Sequence, residues 1–180
     1  MVEKPARLDR TVVYESPWVN LYVDRVEFPG GRIIERHHLL DFARQGVAAL
    51  VTDPAGSVLF VESYRYPTDS IGWEIPAGGI EPGEPILAAA AREVAEETGV
   101  ATTGHRLVYT YHPSNGISNQ VFHIVRCRAT SGPGRFDANE VRAVRWSTPD
   151  EIRDLIAKCA IVDGFSLTAL LLYLSGLAGE

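Results

Sequence analysis

Residues 78–100 read GGIEPGEPILAAAAREVAEETGV, and the rest of the chain is read outward from them. Three carboxylates, Glu93, Glu96 and Glu97, fall in one short predicted helix over about residues 85–98. Residues three and four apart share a helix face, so Glu93 lies beside both Glu96 and Glu97 and can aim oxygens at one point. Like charges at that spacing repel and cost helix stability. A multivalent cation removes that cost, and clustered carboxylates are the hard oxygen donors that Mg²⁺ or Mn²⁺ prefers. Pro85 stands in the first helical turn, where its missing N–H does no harm. Gly99 is the expected left-handed cap at the other end. Ile86, Leu87, Ala90, Ala91, Val94 and Ala95 give the helix an apolar side for packing on a sheet.

The stretch resembles the signature of the Nudix hydrolases, G-x5-E-x7-R-E-U-x-E-E-x-G-U, where U is a bulky aliphatic residue. Gly78, Glu84, Arg92, Glu93, Val94, Glu96, Glu97, Gly99 and Val100 meet every fixed position. An ordinary amphipathic helix with a solvated acidic face would not require Gly78, Glu84, Arg92 and Gly99 as well. The family's reaction is hydrolysis of a nucleoside diphosphate linked to another moiety. Carried over residue by residue, the resemblance implies Glu93 and Glu97 as metal ligands and Glu96 as a ligand or helper. The backbone carbonyl of Ala77 completes the set. Arg92 and Glu84 are implied mostly to brace the loop and helix, with Arg92 counted among the catalytic candidates and direct substrate contact as the alternative.

The chain has 180 residues, 46% apolar and 22% charged, the composition of an ordinary globular protein. Its net charge of −6 argues against a nucleic-acid backbone as partner, but not against a phosphate-bearing small molecule met through a metal. Two cysteines, Cys127 and Cys159, are too few for a disulfide framework, and reduced thiols in a cytoplasmic protein are the expectation. The N-terminus MVEKPARLDR lacks a signal-peptide core. The longest apolar run, residues 167–174, is too short to span a bilayer and reads as a core helix, so no membrane role is expected.

Residues 1–45 carry strand character at 12–14, 21–23 and 32–40, with turns at Ser16-Pro17 and Pro29-Gly30-Gly31. They are expected to form a small antiparallel β appendage. A sheet this small needs something to pack on, which points to a homodimer. The main domain is set at 46–180. Strands are expected at 47–52, 58–62, 73–76, 106–111, 120–128 and 141–146, and helices at 149–158 and 163–177. The pattern alone gives α+β. The resemblance implies the rest of the fold, an α/β/α sandwich with a mixed sheet between helices.

Residues 62–67 (ESYRYP) and 73–79 (WEIPAGG) resemble the branch that hydrolyses ADP-ribose and other nucleoside diphosphate sugars. The β-rich appendage and closing helix fit that branch, so the resemblance covers nearly the whole chain. Arg65 is then a candidate grip on the substrate's phosphates, set against a surface arginine paired with Glu62. Trp18, Phe28 and Trp73 are candidate platforms for a nucleobase. In the loop at 111–120 Asn115 stands where the branch usually carries proline, which widens the expected substrate range to other nucleoside diphosphate sugars. For the general base, Glu140 comes first and Asp137 second. The alternatives are a nucleoside triphosphate pyrophosphohydrolase and a catalytically silent nucleotide-sugar sensor.

Overall fold

The computed structural model describes residues 3–179. They divide into two compact units. The smaller comprises the chain through Gln45 together with His112–Val121, and the larger comprises Gly46–Tyr111 and the chain from Phe122 onward.

In the smaller unit, β1 (Ala6–Tyr14), β2 (Val19–Glu27) and β3 (Ile33–Phe42) form an antiparallel sheet in chain order. Its outer strand is mostly exposed, with Leu8, Val12, Val13 and Tyr14 open to solvent. Arg10 supplies rigidity by forking onto the buried Asp24 with two 2.7 Å hydrogen bonds. The segment His112–Val121 attaches through a bridge between Leu40 and Ser118, and Asn119 accepts the Phe42 N–H at 2.7 Å.

The larger unit is built on a mixed sheet. Its strands are β4 (Gly46–Thr52), β5 (Val58–Arg65), β6 (Ser70–Glu74), β7 (Ala77–Gly79), β8 (Thr102–Tyr111), β9 (Phe122–Ala129) and β10 (Ala143–Ser147). The main path runs β10-β5-β4-β9-β8, and β4 with β9 is the parallel pair. Asp53 closes the β4–β5 turn by accepting the Ala55 and Ser57 N–H groups, and Gly56 takes φ 85°. Beyond that turn the two strands pair only at Thr52–Val58. Each fills its remaining edge with another strand, β7 on β4 and β6 on β5. Pro76 bridges this wedge by accepting the Ala49 N–H at 2.8 Å. The stretch leading into the acidic helix is thus set into the middle of the sheet.

Period-two alternation divides the core. Ala48, Leu50, Val58, Phe60 and Ile124 face α2 (Pro149–Ala157) and α3 (Gly164–Leu174), where Ile152, Phe165, Ala169 and Leu170 meet them. Val47, Ala49, Val51, Leu59 and Val125 face α1 (Ile86–Thr98), which supplies Ala89, Ala90 and Val94. The α/β/α sandwich with a mixed sheet is therefore present as expected. Each fully buried Val, Leu, Ile or Phe contributes about 1.5–3 kcal/mol, so this double-sided core carries most of the fold. α1 begins one residue later than expected, with Pro85 at the cap position, and it ends at Gly99 with φ 67°. Thr148 and Glu151 form a reciprocal capping box on α2, and Asp163 caps α3. No helix among the described residues is long and apolar enough to cross a membrane.

Candidate active site

α1 packs its alanine and valine stripe on the sheet, which leaves Glu93 and Glu97 lining a cleft of about 750 Å³ beside the β7 backbone. Both are buried, and burial raises the affinity of each for a proton. Glu97 is pushed up to about 8, chiefly by burial and further by repulsion from Glu93, against the relief of one hydrogen bond. That bond comes from the Ala77 N–H at 3.1 Å. Gly78 is required by close approach: a Cβ there would stand 2.2 Å from the Glu93 carboxyl carbon. No side chain fits without displacing that carboxylate.

Arg92 organises the other side of the helix. Its Nε and one Nη grip Glu84 at 2.9 Å each, and the same Nη reaches the Gly79 carbonyl at 2.9 Å. The other Nη donates to Glu93 at 2.8 Å and Glu96 at 3.0 Å. A guanidinium has five N–H donors, and these five bonds use them all. Arg92 thus has no donor left for a ligand and acts as a brace. The pairing holds Glu84 well below the usual carboxylate range, at about 2.

Two further arginines form a wall of the cleft. Arg65, at the end of β5, forks onto the buried Glu74 of β6. Its partner is therefore Glu74, while Glu62 pairs with Arg142 at 3.4 Å. Arg142 also lines the cleft, as do Tyr64 and Asn139. None of these three, nor Glu74, is named as a site residue from the sequence, although Tyr64 and Glu74 lie within the two segments that resemble the nucleoside diphosphate sugar branch. Arg142 is brought in by the pairing of β10 with β5, where its N–H donates to the Glu62 carbonyl at 2.8 Å. Glu140 lines the cleft from the loop before β10, near enough to repel Glu93 and Glu97. Asp137 instead turns into its own loop, accepting the Asn139 backbone and side-chain N–H groups at 2.8 Å.

Of the remaining candidates, only Trp73 belongs to the larger unit. Trp73 packs on the core, and the Arg145 guanidinium covers its ring at 4.3 Å, outside the lining of the cleft. Trp18, Phe28 and Asn115 belong to the smaller unit. Trp18 is 68% exposed, with the Arg44 guanidinium 5.2 Å from its ring. Phe28 sits at the β2–β3 turn, donating its N–H to the Arg32 carbonyl at 2.8 Å. Asn115 is exposed in the turn that starts the 114–118 segment.

Among the described residues, no three His, Cys, Asp or Glu side chains are gathered closely enough to hold a metal ion as they stand. The hydrogen bonds explain this: Arg92 draws Glu93 and Glu96 to itself, and Ala77 holds Glu97. The donor set nevertheless fits a hard divalent cation. It offers carboxylate oxygens, those of the buried Glu93 and Glu97 among them, in a space that Gly78 keeps clear.

Residues 43–163 match the NUDIX domain, and residues 7–39 match the nucleoside diphosphate sugar hydrolase N-terminal domain. The chain is 32% identical to the CMP-5'-(N-acetyl-N-hydroxy-3-aminopropyl)phosphonate hydrolase of Streptomyces rubellomurinus, over 93% of this chain and 81% of that protein. It is 30% identical to the ADP-ribose pyrophosphatase of Bacillus subtilis, over 62% of this chain and 60% of the relative. A solved ADP compounds hydrolase superposes with a TM-score of 0.86 at 20% identity, covering 99% of this chain and 97% of that one, which fixes the fold.

Proposed function

The chain belongs to the NUDIX family of hydrolases, and from that premise we propose that it cleaves the diphosphate bridge of ADP-ribose or a related nucleoside diphosphate sugar, releasing a nucleoside monophosphate and a sugar phosphate. The observation that carries this reading is the cleft itself. Buried carboxylates Glu93 and Glu97 stand in the same cavity as the guanidiniums of Arg65 and Arg142. That arrangement suits a substrate with several phosphate oxygens.

Glu93 and Glu97, with Glu96 and the Ala77 carbonyl, would hold Mg²⁺, with Mn²⁺ as a substitute. When bound, such an ion supplies neutralising charge to phosphoryl oxygens and makes a water more acidic. Arg65 keeps N–H groups beyond those committed to Glu74, and with Arg142 it binds and orients the diphosphate. Glu140 receives the proton of the attacking water. Glu140→Gln is expected to slow turnover by about 10²-fold or more, the usual worth of a placed base. An unchanged rate would move the role to another group.

The relative matched over most of its length is named for a CMP phosphonate. That name and ADP-ribose pyrophosphatase share a nucleoside monophosphate joined to a second phosphorus-bearing group. The test is therefore a panel incubated with Mg²⁺: ADP-ribose, ADP-glucose, GDP-mannose, UDP-glucose, a CMP-linked phosphonate, a dinucleoside polyphosphate and nucleoside triphosphates. Products are read by mass spectrometry, with chelator and Glu97→Gln controls. Nucleoside monophosphate plus sugar phosphate, lost in both controls, supports the reading. Pyrophosphate release from triphosphates alone, or binding without turnover of any compound, rejects it.

The exposed apolar residues of β1 support a homodimer in which a second copy covers them. Light scattering that shows a monomer at micromolar concentration rejects this. Cys127 is buried with its thiol pushed up to about 12, and both cysteines are free, as a cytoplasmic setting would keep them.

A further inference from the structure

Away from the cleft, the edge of the main sheet gathers three guanidiniums. In the β8–β9 ladder Arg106 stands directly opposite Arg126, and Arg128 stands opposite Thr103. Directly opposed residues share a face, and like charges there destabilise the pair. Cys127, between two of the arginines, is buried on the α1 side. Alternation therefore sends Arg126 and Arg128 to the other face. There the Arg126 guanidinium lies 5.9 Å over the ring of Tyr173 in α3, and Arg106 donates to the Ala178 carbonyl. The three arginines, with Gly104 and Cys127, line an open pocket of about 190 Å³. Gly104 has φ +67°, and Nη2 of Arg128 lies 3.4 Å from where a Cβ would stand. The strand has no side chain beneath that guanidinium.

Ion pairing separates these residues from the arginines of the cleft and of the β1–β2 pair. Arg10, Arg65, Arg92 and Arg142 each have a carboxylate partner. Among the described residues, none of Arg106, Arg126 and Arg128 has one within 4.0 Å. The stacking on Tyr173 and the bond to Ala178 fix two of the three in place without neutralising them. An oxyanion does both: guanidinium forks match phosphate oxygens in pairs of parallel hydrogen bonds. The pocket has room for a phosphate group.

We propose that Arg106, Arg126 and Arg128 form a second anion site, separate from the cleft, that takes a single phosphate group, either inorganic phosphate or the phosphate end of a monoester. The site does not depend on the reaction assigned to the cleft. Its test is calorimetric titration with inorganic phosphate and, separately, ribose 5-phosphate, at fixed ionic strength, on the metal-free protein. Saturable binding by either probe is expected, and the tighter probe identifies the source. Arg128→Gln should weaken it about tenfold, the worth of one charged hydrogen-bonded contact. Arg142→Gln, in the cleft, should leave it within twofold. Arg128 is exposed, so the variant should keep the wild-type circular dichroism; Arg126→Gln is the second probe should it not. As a direct readout, the Nε–Hε NMR signals of Arg106, Arg126 and Arg128 should shift with phosphate. No saturable binding, binding indifferent to both Arg128→Gln and Arg126→Gln, or binding lost with Arg142→Gln overturns the proposal.

Discussion

Arg92 and Glu97 sit little more than one turn apart on the same helix, and their surroundings are opposites. Arg92 has all five N–H groups matched by carboxylates and one carbonyl. Glu97 is buried with the Ala77 N–H as its hydrogen-bond donor, and its proton affinity rises with that burial. The matched end fixes geometry; the unmatched end is where a ligand gains most by arriving. A charge already satisfied has little to offer a substrate, whereas a buried charge left short of partners makes binding there more favourable.

The largest expected effect comes from the unmatched end. Glu97→Gln should remove nearly all turnover while leaving the fold intact, measured as kcat alongside circular dichroism. Activity within a few-fold of wild type would break the contrast. The same variant sharpens it through pH. In chelator, Glu97 holds its proton to about 8 when folded, against 4.5 as its ordinary value. Between those values the folded state binds the extra proton, so that contribution to stability is present below 4.5 and is lost as pH rises towards 8. Glu97→Gln should flatten that part of the melting-temperature profile, and an unaltered slope would remove Glu97 as its source.

Next comes Gly78→Ala, which tests the space between the two ends. The added methyl would lie 2.2 Å from the Glu93 carboxyl carbon and must displace it. A misplacement of about 1 Å is worth about 10²-fold in rate. Full activity would mean that the carboxylate's position is not critical. Arg92→Lys then tests the matched end. A lysine has three donors on a point charge and cannot serve Glu84, Glu93, Glu96 and Gly79 together. A fall of about 10- to 100-fold in metal affinity or rate is expected, the usual cost of losing an orienting partner. A rise in KM alone would reassign Arg92 to substrate binding. The smallest effect is expected in the other unit. Tyr14→Ser should weaken self-association in light scattering while changing monomer stability by no more than about 0.5 kcal/mol.

The parts of the molecule legible in the sequence were those governed by local rules. Helical spacing placed Glu93 and Glu97 on one face, Gly99 marked the left-handed cap, and apolar runs marked β4, β5 and β9. What escaped was set by pairing between distant strands. Arg142 and Tyr64 meet in one cleft only because β10 pairs with β5. The partner of Arg65 shows the reason most plainly. Glu62 is near in sequence, but residues three apart on a strand point to opposite faces. Glu74 lies across the ladder from Val61, on the face that Arg65 shares, and so it wins. Asn115 was read as part of a loop of the main domain, yet its segment packs with the smaller unit through Leu40 and Asn119, contacts that no local pattern announces.

The parallel pairing of β4 with β9 also bears on how the protein is made. The Thr52 hydroxyl meets the Cys127 carbonyl across 75 positions of chain, whereas the β1–β2–β3 sheet is closed by short turns. Contacts between remote positions carry a larger loop-closure entropy and slow folding. The small sheet can therefore zip early in synthesis, while the strand pair that centres the large sheet must wait for β9. The acidic helix is synthesised before β9, so the nascent chain exposes those carboxylates to solvent, in water rather than in a cleft, until the sheet closes behind them.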